Sequence, residues 1–273
     1  MNIIVCIKQV PDTTAAGNAT LDPKTGRLMR ELLPTIMNYD DKAGLEAALR
    51  LKDKYGANVT IVSMGPPMAH EVLVEALAMG ADDGYLMTDR AFGGSDTLAT
   101  STIIAMGIKK IAADKGLKNG FDLIIAGRQA IDGDTAQVGP QIAEHLGLQN
   151  ISYAEEIEIK GDVIKVKRQY EDRYHILEMK LPCLITALAE LAEPRYMTVG
   201  RIFDVWHSPE IKTISRADMG DFIKDEEIGL TGSPTKVAKS FPKQLKGQGT
   251  TINKPTEESV QFIIDSLKQK FVL

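Results

Sequence analysis

A chain of 273 residues, 44% hydrophobic and 25% charged, has enough material for a sizeable core and an ordinary globular make-up. Its net charge of −5 argues against a main task of neutralising nucleic-acid phosphates, and no apolar run approaches the length of a membrane span. The two cysteines, Cys6 and Cys183, both sit in apolar runs, which argues against a disulfide framework; with no signal-peptide pattern in MNIIVCIKQV, the expected location is cytoplasmic.

Residues 2–8 (NIIVCIK) form a continuous apolar run, as expected of a strand buried on both faces. Residues 41–55 place Leu45, Ala48, Leu49 and Leu51 near one stripe, predicting an amphipathic helix with Asp40 or Asp41 as N-cap. A second strand is expected over 58–64, stopped by Gly65-Pro66-Pro67, and a second helix over 69–79. A short third strand, 84–87, leads to a long helix from about Asp96 to Gly116. A fourth strand, 121–126, enters GRQAIDGDTAQVG at 127–139 and then a helix over 141–146. This alternation predicts βαβ units and a doubly wound parallel α/β sheet with helices on both faces. Ligands bind such sheets outside the carboxyl ends of the strands, where strand order reverses.

After residue 150 the period changes to two over 153–160, 163–170 and 173–180, an antiparallel hairpin excursion, before a buried strand at 182–187. The α/β domain is thus expected to span 1–206. From 207 to 273 the chain reads as a polar arm, with a terminal amphipathic helix over 256–271 that needs a partner surface.

Most searches for catalytic motifs fail. The four histidines lack metal spacing, the cysteines form no CxxC, and no GxSxG is present, which favours chemistry supplied by a bound cofactor. The 127–139 stretch is the best positive signal. Glycines Gly127, Gly133 and Gly139 let a backbone approach phosphate oxygens, the helix beyond adds its N-terminal N–H groups, and Arg128, Thr135 and Gln137 can contribute contacts. The competing explanation is an ordinary turn whose Asp132 and Asp134 cap the next helix. A second loop, Phe92-Gly-Gly-Ser-Asp-Thr97, reads either as the start of the long helix, capped by Ser95 or Asp96, or as a flat approach for a ligand.

NIIVCIKQVPD, LEAALRLKD, EALAMGADDG, GRQAIDGDTAQVG and KLPCLITALAELAEPRY, in this order, resemble the β subunit of electron-transfer flavoproteins over some 200 residues. The hairpin VKRQYEDRYHILEMKLPCLIT departs from the family in Arg173 and His175. The resemblance implies a heterodimer with an α subunit that holds the redox-active FAD, exchanging electrons with an acyl-CoA dehydrogenase-type flavoenzyme. In the β subunit it implies AMP, or a second FAD in the electron-bifurcating branch. The site it transfers comprises Cys6, Asn38, Tyr39, Asp40, Asp41, Met64 and Gly65, with Gly127, Arg128, Gln129, Ala130, Ile131, Asp132, Gly133, Asp134, Thr135, Gln137, Val138 and Gly139. Leu191, as an apolar anchor, with Glu193, Pro194, Arg195 and Tyr196, would dock the dehydrogenase.

Ser95, Asp96 and Thr97 resemble the loop beside the β-bound flavin of bifurcating members. That favours FAD reduced transiently by NADH, with ferredoxin or flavodoxin as low-potential acceptor. The alternative is a non-bifurcating carrier with structural AMP. An AMP-binding regulatory module and an ATP-using α/β enzyme are further readings, the last lacking a phosphate-grasping motif near the first strand.

Overall fold

The structure, a computed structural model, describes residues 1–12, 33–207, 209–236, 249 and 251–272. Its centre is β1 (Asn2–Cys6), in which Ile3 and Val5 face one core cluster and Ile4 the other. This alternation is why Ile3, Ile4 and Val5 are all apolar. The chain then makes a small antiparallel ribbon from β2 (Gln9–Pro11) and β3 (Thr35–Met37), two strands without counterpart in the sequence reading.

Helix α1 (Tyr39–Tyr55) follows and ends at Gly56 in the left-handed conformation. Asn38, not Asp40 or Asp41, occupies its N-cap position, and both aspartates lie buried in the first turn. A Cβ on Gly44 would come within 2.9 Å of Ile125 Cγ2, so glycine lets α1 lie close against the sheet. The remaining βα units are β4 (Asn58–Met64), α2 (His70–Met79), β5 (Asp83–Met87), α3 (Thr97–Asp114), β6 (Leu123–Gly127) and α4 (Val138–Leu146). Asp96 caps α3 by accepting from the amides of Leu98 and Ala99, as the sequence suggested.

Three strands then build the excursion: β7 (Gln149–Lys160), β8 (Val163–Gln169) and β9 (Tyr174–Lys180). β10 (Cys183–Ala187) returns between β6 and the start of β7, parallel to both. The nine-stranded sheet runs, with β11 (Ile211–Ile214), in the order β11-β5-β4-β1-β6-β10-β7-β8-β9, with every pairing parallel except the last two, β7 with β8 and β8 with β9. Order reverses between β1 and β6, which opens a crevice at their carboxyl ends.

The expected polar arm differs from the structure in its first part. Strand β11 pairs in parallel with β5, and the short helix α6 (Arg216–Met219) follows. Ile214, Met219, Ile223 and Ile228 all enter the second core cluster. An edge strand needs few buried residues, so low average hydropathy concealed it. Helix α5 (Val199–His207) leaves apolar side chains in solvent, as does α7 (Thr256–Gln269) with Val260, Phe262 and Ile263. No helix among the described residues is long and apolar enough to cross a membrane.

Candidate functional site

At the reversal point the carboxyl ends of β1, β4, β5 and β6 surround a cavity of about 980 Å³, at the upper end of the roughly 300–1,000 Å³ range of small-molecule sites. Its floor is apolar, with Val62, Met64, Phe92, Ile104 and Ile142. One wall is the 127–139 loop and the other the 92–97 loop, and Thr97 Oγ1 donates to Gln137 Oε1 across them at 3.0 Å.

The first half of the 127–139 loop is riveted to the start of α1. Asn38 is fully buried; its Nδ2 donates to Gln129 O at 2.8 Å and its Oδ1 accepts from Ile131 N at 3.1 Å. The Asp41 carboxylate accepts from Lys8 N at 2.8 Å and Gly127 N at 3.0 Å, joining the ends of β1 and β6. Lys8 Nζ pairs with Asp132 at 2.7 Å. A Cβ on Gly127 would collide with the Asp41 carboxylate and approach its backbone nitrogen to 2.9 Å, so glycine is required there for packing.

The second half is left open to a ligand. Asp134 and Ala136 are left-handed without being glycines, with φ of 51° and 53°. Such conformations cost free energy and concentrate at functional sites. Gln137, next in the chain, is right-handed at φ −102°, ψ −34°. A left-handed residue followed by a right-handed one turns successive amides toward a common point, a concavity suited to an anion. The amides of residues 135–139 have no hydrogen-bond partner among the described residues, and they open onto the N-terminus of α4. Arg128, partly exposed on the same wall, has its Nε 3.3 Å from Asp40 but makes no well-directed bond through it.

Electrostatics follow burial. Desolvation, with the Asp41 charge adding, pushes the Cys6 thiol up to about 12, which favours its protonated form at the cavity wall. Burial raises Asp41 to about 7 against the bonds from Asn38, Lys8 and Gly127. Burial alone would also raise Asp96, but bonds from Thr235, Ala99 and Leu98 outweigh it and hold that acid below its usual value.

Of the expected site residues, Cys6, Asp41, Met64, Gly65, Ser95, Asp96 and Thr97 line the cavity, as do most of the 127–139 loop. Asn38, Asp40, Ile131 and Asp132 lie behind it, as supports, and Tyr39 is exposed outside it. Thr88 and Arg90 were missed, although they follow the predicted end of the third strand within three residues and were readable on that ground.

Leu191 requires correction. It is only 9% exposed and packs in the first core cluster, turned inward by a 3-10 turn at Ala189–Leu191. Arg195 is engaged with α1: its Nε and Nη2 reach Glu46 at 2.8 and 3.1 Å, and Nη2 reaches Asp53 at 2.7 Å. Glu193 O accepts from Arg50. What the clamped loop presents outward is Tyr196, 95% exposed, beside Val199 (85%), Phe203 and Trp206 (78%) on α5.

Among the described residues no group of His, Cys, Asp and Glu could hold a metal ion. The unpartnered amides, the flat glycine-bearing walls and the apolar floor fit a planar ligand that carries phosphate.

Residues 26–218 match the electron transfer flavoprotein domain family. An electron transfer flavoprotein subunit beta of Clostridium acetobutylicum is 52% identical over 99% of both chains. The CarD subunit of the caffeyl-CoA reductase-Etf complex of Acetobacterium woodii is 48% identical, and the acryloyl-CoA reductase electron transfer subunit gamma of Anaerotignum propionicum 46%, each over the full length of both chains.

Proposed function

The chain belongs to the electron transfer flavoprotein family, as a β subunit that serves electron transfer, and from that premise we propose that its cleft holds FAD and takes part in electron bifurcation from NADH. The observation that carries this reading is the reach of the cavity, from the open amides at 135–139 across an apolar floor to the Gly93-Gly94 wall. A mononucleotide on those amides leaves the far wall uncovered.

In this reading the amides of 135–139 and Arg128 bind the phosphates. Asn38 and Asp41 hold the loop in place, and the Val62, Met64 and Ile104 surface excludes water from the ring. A bound flavin would supply the redox chemistry, accepting a hydride and releasing electrons one at a time. Cys6 keeps its proton and adds no competing thiol chemistry beside it.

The partners are an α subunit carrying its own FAD, an acyl-CoA dehydrogenase-type flavoenzyme, and a ferredoxin or flavodoxin as low-potential acceptor, in the cytoplasm. Two relatives named as subunits of acyl-CoA reductase systems support the second of these. The exposed stripe of α7 packs on the α subunit. The dehydrogenase docks on Tyr196, Val199, Phe203 and Trp206, because 199, 203 and 206 share one helix face and aromatic side chains dominate binding hot spots.

Structural AMP in a simple carrier is the second reading. It is favoured by one fact: Ser95 and Asp96 spend their polar atoms inside the protein. Flavin extraction from the purified heterodimer separates the two. Two FAD per pair are expected; one FAD with AMP recovered refutes the bifurcating reading.

A further inference from the structure

The far wall of the cleft is not held by its own helix alone. Residues 229–235, over 130 positions later, lie along the back of the Gly93 to Thr97 loop. Ser233 is 5% exposed; its Oγ accepts from Asp96 N at 2.8 Å and donates to Gly229 O at 2.6 Å. Thr235 donates to Asp96 Oδ2 twice, from N at 3.0 Å and from Oγ1 at 2.7 Å. Gly229 N donates to Ser95 Oγ at 3.1 Å. The fit is tight as well as polar: a Cβ on Gly94, whose φ is 76°, would fall 2.6 Å from Leu230 Cδ2, and one on Gly229 would strike Ala91 O.

We propose that Ser233 and Thr235 are positioning residues that set how far the cleft extends, so that it accepts a dinucleotide and not only a mononucleotide. The argument is geometric. The phosphate wall is anchored through residues 127–132 by Asn38, Asp41 and Lys8, meets the opposite wall at the one bond from Thr97 to Gln137, and among the described residues makes no hydrogen bond with 229–235. The opposite wall has Asp96 at its corner, whose carboxylate caps α3 through Oδ1 and grips the strap through Oδ2. The two glycines ahead of it have no side chains with which to hold themselves. Without the strap the Gly93-Gly94 edge loses its backing while the phosphate wall keeps its own. A ligand reaching only the phosphate wall is indifferent to this; a ligand spanning to the glycine edge is not.

This rests on the reading of the cleft as an FAD site, and the test keeps the two apart. Nucleotide-depleted full-length chain is titrated calorimetrically with FAD and, separately, with AMP, for the wild type, Thr235→Val and Ser233→Ala. Loss of the Thr235 hydroxyl bond to the Asp96 carboxylate, or of the buried Ser233 hydroxyl between Asp96 N and Gly229 O, is expected to weaken FAD by about tenfold while AMP stays within about twofold. Thermal unfolding of each variant reports whether the fold itself has changed. Equal loss of both ligands, or no change in either, overturns the inference with the FAD reading intact. A wild type that binds AMP but not FAD overturns the FAD reading and the inference with it.

Discussion

Asp41 joins two strands through a carboxylate that resists ionisation, and that makes its contribution measurable by pH. Burial, the largest influence, raises its pKa from 3.8 to about 7. The unfolded chain titrates near about 3.9. Between those values the folded protein binds more protons at this site than the unfolded chain, so stability falls as pH rises through the window and is level above about pH 7. The gap from 3.9 to about 7 corresponds to at most about 4 kcal/mol.

Asp41→Asn removes the titration and also one acceptor. Its carbonyl can serve Lys8 N or Gly127 N, while its NH₂ faces the other donor and leaves a buried N–H unsatisfied, worth about 1–3 kcal/mol. The variant is therefore expected to be less stable than wild type near pH 5 by about that amount. Toward pH 8 the difference shrinks or reverses, because only the wild type then carries a buried charge. Urea unfolding of both proteins without nucleotide, at pH 5, 6, 7 and 8, measures it. A wild-type-minus-variant difference that stays constant from pH 5 to 8 would refute the argument that Asp41 titrates between these limits.

Gly127→Ala places a methyl on the Asp41 carboxylate and is expected to cost about 1–3 kcal/mol or more, with nucleotide affinity lost as the loop shifts; a destabilisation below 0.5 kcal/mol on the same scale would contradict it. Arg195→Ala leaves the buried Glu46 with Arg50 and the residue 195 backbone N–H and is expected to cost about 1.5–3 kcal/mol, while Arg195→Lys recovers part by keeping charge without the fork. Chemical denaturation ranks the three proteins, and indistinguishable midpoints would remove the clamp from consideration. Phe203→Ala with Trp206→Ala touches only exposed groups, so unfolding should be unchanged. Affinity for the dehydrogenase, by surface plasmon resonance, should drop by about 2 kcal/mol or more, and unaltered affinity would place docking elsewhere.

The sheet and its helices were readable because each βα unit carries its own period: NIIVCIK and LIIA are unbroken apolar runs, and α1 shows a clear stripe. What failed depended on partners distant in the chain. Asp40 and Asp41 resemble caps by position, but the atoms that claim the Asp41 carboxylate come from residues 8 and 127. The resemblance cast Leu191 as a docking anchor against the plainer account of core packing, and the 3-10 turn points it at the core. The return of Ile211–Ile214 to the sheet edge rests on one fully seated residue, Ile214, and on pairing with β5 that no local pattern announces.

The same division runs through the site. The 127–139 wall is a single continuous stretch, strand to loop to helix, so one window of sequence contains the turn proposed to bind phosphate, although Asn38, Asp41 and Lys8 hold its first half from elsewhere in the chain. The opposite wall is a composite. Residues 93–97 are ordinary as a helix start, and their shape depends on a segment bonded to them from 134 to 139 positions away. A reader of the sequence sees a cap in Asp96 and a polar tail in SPT, and both descriptions are correct locally. The resemblance pointed to this loop as the flavin side of the cleft, but only the fold shows the contact that backs it, because Ser233 and Thr235 reach Asp96 from 137 and 139 positions away.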